Sequence, residues 1–339
     1  MKHSTKIQFN LIMIALASLV MLGSCGHHGN GKPNHRGIYH WKTTYNPSDW
    51  EKTWMKQHKI DRLYVKMFDV EAGHLVGEPD WKMVPIATTL FKQKLPTDIE
   101  VVPVVYITID AIRALDEDMW KTDLYAKLIV KRLKAMLSEH LDGQVHEVQL
   151  DCDWTQQTEE TYFSLAREVR NLLHEENIIL SGTLRLHQLK EVETPTRNEW
   201  QEADSLPFDR SLLMCYNTGS LQEYSTRNSI LDFDDVKPYL KQYHSNSLPR
   251  TDVALPVYGW GVEFTKDKQF SRIINSHQLP QKNSEDYYIR EEWAEPTEIR
   301  KTQEALPALD DLHTTILYHL DSLNLSKYSY EEIEHFYNH

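Results

Sequence analysis

The residues best suited to chemistry lie in one short run, 145–154, which reads Val-His-Glu-Val-Gln-Leu-Asp-Cys-Asp-Trp. In an extended strand successive side chains point to opposite sides, so Val148, Leu150 and Cys152 share one face and Glu147, Gln149, Asp151 and Asp153 the other. The second face is too polar for ordinary core. Two residues apart on a strand, Asp151 and Asp153 stand about 6.6 Å apart at Cα. That is near enough for repulsion to raise one pKa and keep a proton available for donation. The expected chemistry is general acid catalysis, with Asp153, nearer solvent, as donor and Asp151 as its ionised partner. A structural role stands beside it: Lys66 and Arg185 fall on the inward face by the same parity, which predicts that one of them pairs with Asp151.

These residues need elements to position them. Eight β-rich runs recur at 37–41, 62–68, 101–108, 145–153, 179–187, 212–217, 253–260 and 314–321. Helical patterns at 47–58, 80–91, 120–140, 158–176, 232–243 and 296–312 separate most of them. Alternation of strand and helix predicts a parallel sheet, and eight units favour closure into one (β/α)8 barrel domain over residues 37–339. No glycine-rich phosphate loop follows the first run, which argues against a nucleotide-binding open sheet. The polar, proline-interrupted segment 188–207 and the long insertion 264–295 are expected to shape the rim of a cleft.

In such a barrel the C-terminal strand ends converge on substrate. The first three strands place His40 and Trp41, Lys66 and Phe68, and Tyr106 and Thr108 there. The fourth and fifth add Gln149, Asp151, Asp153, Arg185 and His187. Tyr216, Asn217, Tyr258, Trp260, His319 and Asp321 come from the last three. Aromatic faces stack on the apolar faces of sugar rings while carboxylates, amides and imidazoles bond hydroxyls, so the mixture predicts a neutral oligosaccharide or polysaccharide as partner.

Composition points the same way. Fifty acidic against 37 basic residues give a net charge of −13, which argues against nucleic acid or an anionic polymer held by charge. Nothing in the sequence implies a cofactor. Cys152 and Cys215 lie in strands that are not neighbours in this topology, so each is expected to pack against helices rather than form a disulfide.

The N-terminus has the pattern of an address. Lys2 and Lys6 precede an apolar stretch, 9–21, too short to span a bilayer, and Leu22-Gly23-Ser24-Cys25 follows. The pattern resembles a bacterial lipobox, which implies a signal peptide over 1–24 and lipidation at Cys25. Gly26 is not an inner-membrane retention aspartate, so the expectation is the outer membrane of a bacterial cell envelope, contacted through the lipid alone. Cys25 and residues 26–36, which carry no apolar side chain after the cysteine, are expected to form a flexible tether.

Leu150-Asp-Cys-Asp-Trp154 resembles the fourth-strand motif of glycoside hydrolase family 18, the chitinases and endo-β-N-acetylglucosaminidases, which reads Asp-x-x-Asp-x-Asp-x-Glu. Met214-Cys-Tyr-Asn217 resembles the same family's sixth-strand element. The chain is more similar still to bacterial barrel lipoproteins distantly related to that family, with a Gln-x-Asp-x-Asp fourth strand. The resemblance implies a TIM barrel acting on N-acetylhexosamine-containing glycans, with Asp151, Asp153 and Tyr216 in the catalytic set. Aligning Asp151 and Asp153 with the family's adjacent aspartates puts Thr155 where its acid stands, and threonine is a poor proton donor near neutral pH. Three readings remain open: a register shifted by two, making Asp153 the acid; an acid from another loop, Glu263 first and Asp321 next; or a protein that binds saccharide without cleaving it. A metal-dependent hydrolase is a fourth possibility, with His40, His187, His319, Asp153 and Asp321 around a divalent ion, although no strand offers His-x-His spacing.

Overall fold

Eight parallel strands form the frame: β1 His35–His40, β2 Arg62–Ala72, β3 Glu100–Ile107, β4 Glu147–Asp151, β5 Ile179–Arg185, β6 Arg210–Met214, β7 Thr251–Pro256 and β8 Thr314–Tyr318. Each pairs with the next in sequence, and β1 pairs with both β8 and β2, so the sheet closes on itself. This computed structural model describes residues 35–74, 82–189, 206–224, 227–242, 251–280, 286–306 and 314–338. The expected signal segment, Cys25 and the expected tether as far as residue 34 lie outside the described residues, as do 190–205 and 307–313, whereas His35 and Arg36, expected in the tether, begin β1. Each of the eight runs expected to be strands contributes one strand to the barrel.

Helices α1 Asp49–Gln57, α2 Ile109–Asp116, α3 Thr122–His140, α4 Glu159–His174, α5 Phe233–Gln242, α6 Pro296–Ala305, α7 Ser322–Leu325 and α8 Tyr330–Tyr337 accompany the strands. In α4 the buried residues Tyr162, Phe163, Leu165, Ala166, Val169 and Leu173 recur at helical spacing and make one stripe toward the sheet. Trp154, fully buried, meets Phe163 edge-on at 5.1 Å. Burying side chains of this size stabilises by roughly 1.5–3 kcal/mol each. Cys152 and Cys215 are buried free thiols in the same outer core.

Three expectations about elements need correction. Residues 80–91 hold no helix in their described part: Met83–Ile86 pairs antiparallel with the end of β2, and Leu90–Phe91 pairs with Thr44–Tyr45. Pro85 lacks the donor a helix needs, and Val84, Ile86, Thr88 and Thr89 are β-branched. The run 253–260 is not one strand. The chain leaves the barrel after Pro256 and enters an antiparallel sheet of Gly259–Thr265, Phe270–Asn275 and Tyr287–Trp293. The short helices α2, α7 and α8 were not anticipated.

Inside the barrel the side chains form tiers. At the N-terminal end Arg62 Nη1 donates to Glu147 Oε2 at 3.2 Å and Arg210 Nη1 to Asp252 Oδ2 at 3.3 Å, with Arg210 Nη1 3.7 Å from Glu147. Burial pushes Asp252 up to about 7. Above lies a mainly apolar tier of Tyr39, Tyr64, Val102, Val104, Leu212 and Ile316. The C-terminal end is left to the cleft.

Candidate active site

A cleft of about 600 Å³ opens at the C-terminal ends of the strands. The polar face of β4 runs the length of the barrel beneath it. Glu147 belongs to the charged tier, and Gln149 is buried midway, accepting from the Tyr39 hydroxyl and donating to Ser181 Oγ at 3.4 Å. Asp151 and Asp153 both line the cleft.

The two aspartates differ in their partners. Asp153 accepts from Arg185 Nε at 2.5 Å and from Nη2 at 3.2 Å, a two-point grip that occupies both oxygens. Asp151 is 6% exposed and accepts from the Thr183 hydroxyl at 2.6 Å. Burial first, then the Asp153 charge, raise its pKa to about 6. Neither Lys66 nor Arg185 pairs with it, which corrects the expected ion pair: Lys66 Nζ lies 3.0 Å from Asp69, and Arg185 is taken by Asp153. The expected proton donor, Asp153, is thus the carboxylate held by a guanidinium.

Gln188 ties the loops carrying these groups together, its Oε1 accepting from the Arg185 backbone N–H at 2.6 Å and its Nε2 donating to the Trp154 carbonyl at 2.7 Å. Asp69, not anticipated, is a third carboxylate lining the cleft. A bulge between Lys66 and Phe68 puts one extra residue into β2. Parity reverses there, so Asp69 faces the cleft while Phe68 joins the outer core. Asp69 pairs in register with Tyr106, and Tyr106 with Asp151, so the three stand side by side on β2, β3 and β4.

Aromatic side chains build the walls. Tyr216 and Tyr318 stack at 5.2 Å with 26° between planes, and Tyr258 stands edge-on to both at 6.2 and 5.6 Å. Trp41 continues the wall, 5.9 Å from Tyr318 and 6.4 Å from Tyr106. The Tyr258 hydroxyl donates to Asn217 Oδ1 at 2.5 Å, and Asn217 itself sits at φ 58°, a left-handed conformation that asparagine tolerates better than most. Trp260 is fixed by a 2.9 Å bond from Nε1 to Glu292. A Cβ on the preceding Gly259 would meet the Trp293 ring at 2.4 Å, so glycine is required for that approach.

The insertion after β7 contributes Ile273, Asn275 and Ser276 to the rim, as its length suggested, and Ser276 Oγ bonds Asn324 at 3.0 Å. Trp41, Arg185, Tyr216, Asn217, Tyr258, Trp260 and His319 also line the cleft with the aspartates.

Other anticipated residues lie elsewhere. His40, next to inward Trp41, faces away and packs on Tyr45 at 4.9 Å, its pKa lowered by burial to about 4. Gln149 is beneath the cleft rather than in it, and Lys66 stands behind Asp69. His187 is exposed off the cleft, because the turn after β5 ends the alternation. Glu263 lies on the outer antiparallel sheet, where Arg272 grips it at 3.0 Å and lowers its pKa. Asp321 caps α7 and pairs with His277 at 2.9 Å and Lys42 at 3.1 Å. Thr155 turns into the entry of α4, its N–H donating to Thr158 Oγ1 at 3.0 Å. The five groups proposed around a divalent ion do not converge, and among the described residues no group of three or more His, Cys, Asp or Glu is arranged to hold one.

A closed parallel barrel with an aromatic and carboxylate cleft at its C-terminal mouth defines a class, the (β/α)8 proteins that place their chemistry at strand ends. No family model matches the sequence, and no curated protein does so either. Solved structures are similar in fold. The spore cortex-lytic enzyme SleL of Bacillus cereus is 13% identical, with a TM-score of 0.54 over 91% of this chain and 74% of that one. The GH18 chitinase ChiB from the chitin utilization locus of Flavobacterium johnsoniae is 14% identical, with a TM-score of 0.53 over 91% of this chain and 94% of that one. A GH18 chitinase of Cycas revoluta, solved in complex with (GlcNAc)3, is 11% identical, with a TM-score of 0.54 over 89% of this chain and 98% of that one. The chain therefore has the barrel fold of the glycoside hydrolase family 18 enzymes.

Proposed function

We propose that the protein is a glycoside hydrolase of neutral or N-acetylhexosamine-containing glycans, with Asp151 as the general acid. Of the three carboxyl groups lining the cleft, Asp69 and Asp153 each face a cation, whereas Asp151 faces a hydroxyl. That contrast is the observation on which the assignment rests. A carboxyl group whose burial holds a proton up to about pH 6 can donate to a leaving oxygen, as cleavage of a glycosidic bond requires. Arg185 fixes Asp153 beside it, where its charge favours the protonated form of Asp151 and stabilises positive charge developing on the sugar. Tyr216, Tyr258, Tyr318 and Trp260 offer faces and edges for sugar rings. The similarity in fold to a chitinase solved with an N-acetylglucosamine trimer supports this substrate class. We place the protein on a bacterial outer membrane through a lipid on Cys25.

A second reading, saccharide binding without cleavage, is favoured by Thr155 at the place where the resemblance puts the acid. One experiment separates the two. Purified protein and Asp151→Asn are incubated with β-linked N-acetylglucosamine oligomers, and reducing ends and tryptophan fluorescence are followed. Hydrolysis lost in the variant with binding kept supports the enzyme. Binding without cleavage in both proteins supports the second reading.

A further inference from the structure

We propose that Asp69 is a second catalytic carboxylate, acting as general base on a water molecule, so that the protein hydrolyses glycosides with inversion and needs no acetamido group on the substrate. The inference rests on Asp151 as general acid. Asp69 and Asp151 occupy one row of the barrel, separated by β3, since Asp69 is in register with Tyr106 and Tyr106 with Asp151. Two strand spacings put their Cα atoms about 9.5 Å apart along the sheet. Both side chains line the same cleft, so the curvature of the barrel brings the carboxyls nearer than that. Paired carboxyls about 6.5–9.5 Å apart leave room for a water between base and sugar, whereas a nucleophile and acid stand nearer 5 Å.

The two groups also differ in their partners. Lys66 Nζ lies 3.0 Å from Asp69, while no cation bridges Asp151, which burial raises to about 6. Tyr106, half-buried between them, closes the row without adding a charge.

The step balances as follows. The water oxygen bonds to the anomeric carbon, and Asp69 takes a proton from that water. The bond from the anomeric carbon to the leaving oxygen breaks with its electron pair, and Asp151 gives its proton to that oxygen. Asp69 ends protonated and Asp151 ionised, and exchange with solvent restores both. Because water is the nucleophile, a tetramer of β-linked glucose and one of β-linked N-acetylglucosamine are both candidate substrates.

Proton NMR of the first product formed by the full chain tests this. Inversion of a β-linkage yields the α-anomer before mutarotation. Asp69→Asn should lower kcat by about 100-fold or more. In Asp69→Ala, added azide should restore turnover and yield an α-glycosyl azide, which a residue that only positions Lys66 would not produce. A β-anomer as first product, or unchanged kcat in Asp69→Asn, overturns the assignment of Asp69 and leaves a hydrolase that uses Asp151. Cleavage of neither tetramer by the wild type overturns both.

Discussion

The two ends of the barrel interior carry similar residues and treat them differently. At the N-terminal end two arginines, Arg62 and Arg210, meet three acids, Glu100, Glu147 and Asp252, and each acid has a guanidinium within ion-pair distance. At the C-terminal end three acids meet two bases, and the third acid, Asp151, lies open to a cleft walled by tyrosine and tryptophan. Acids that each meet a guanidinium hold a structure together. An acid left without a cation beside a cleft is available to a ligand. Position along a barrel strand thus decides what an inward-facing carboxylate does.

The contrast can be broken at several points. Asp151→Asn is expected to lower hydrolysis by about 10²–10⁴-fold, the range for loss of a general acid, measured as initial rates of reducing-end release. Arg210→Met removes the cation between Glu147 and Asp252, and leaving buried charge uncompensated costs about 3–5 kcal/mol. Urea unfolding should show that loss while saccharide affinity per folded molecule stays unchanged.

The acid at the mouth predicts an opposite sign. Its folded pKa of about 6 exceeds the ordinary 3.8, so the stability tied to its protonation is complete below about pH 4 and is lost as pH rises through 6. Asp151→Asn should therefore be more stable than wild type at pH 8, by roughly 1–3 kcal/mol, with little difference at pH 4. Trp260→Ala should weaken saccharide binding about tenfold, or about 1.4 kcal/mol, in a calorimetric titration. His187→Ala, exposed and off the cleft, should change neither rate nor affinity by more than about twofold. A large effect there would extend the site beyond the present cleft.

Much of this was legible in the alternation of residues. The polar face of β4 and the inward Tyr216 follow from a period of two, and the eight-fold alternation of strand and helix predicted the closed sheet. The failures arise where that period is interrupted. A bulge in β2 hid Asp69 and misplaced Phe68, because parity cannot be counted through an unseen extra residue. Choosing both His40 and Trp41 ignored that neighbours on a strand face opposite ways. Glu263 was placed near the mouth on the expectation that β7 ran to Trp260, whereas the chain leaves the barrel after Pro256. The grip of Arg185 on Asp153 is a contact between strands that no local pattern encodes.

The assignment of Asp151 as the acid depends on its holding a proton up to about pH 6, and this can be measured directly. Carbon-13 NMR of protein labelled at the aspartate carboxyls, with the Asp151 resonance assigned by its loss in Asp151→Asn, gives its titration. A midpoint near pH 6 is predicted, moving downward when Asp153→Asn removes the neighbouring charge. A midpoint near 4 in the wild type would contradict the assignment of Asp151 as the acid.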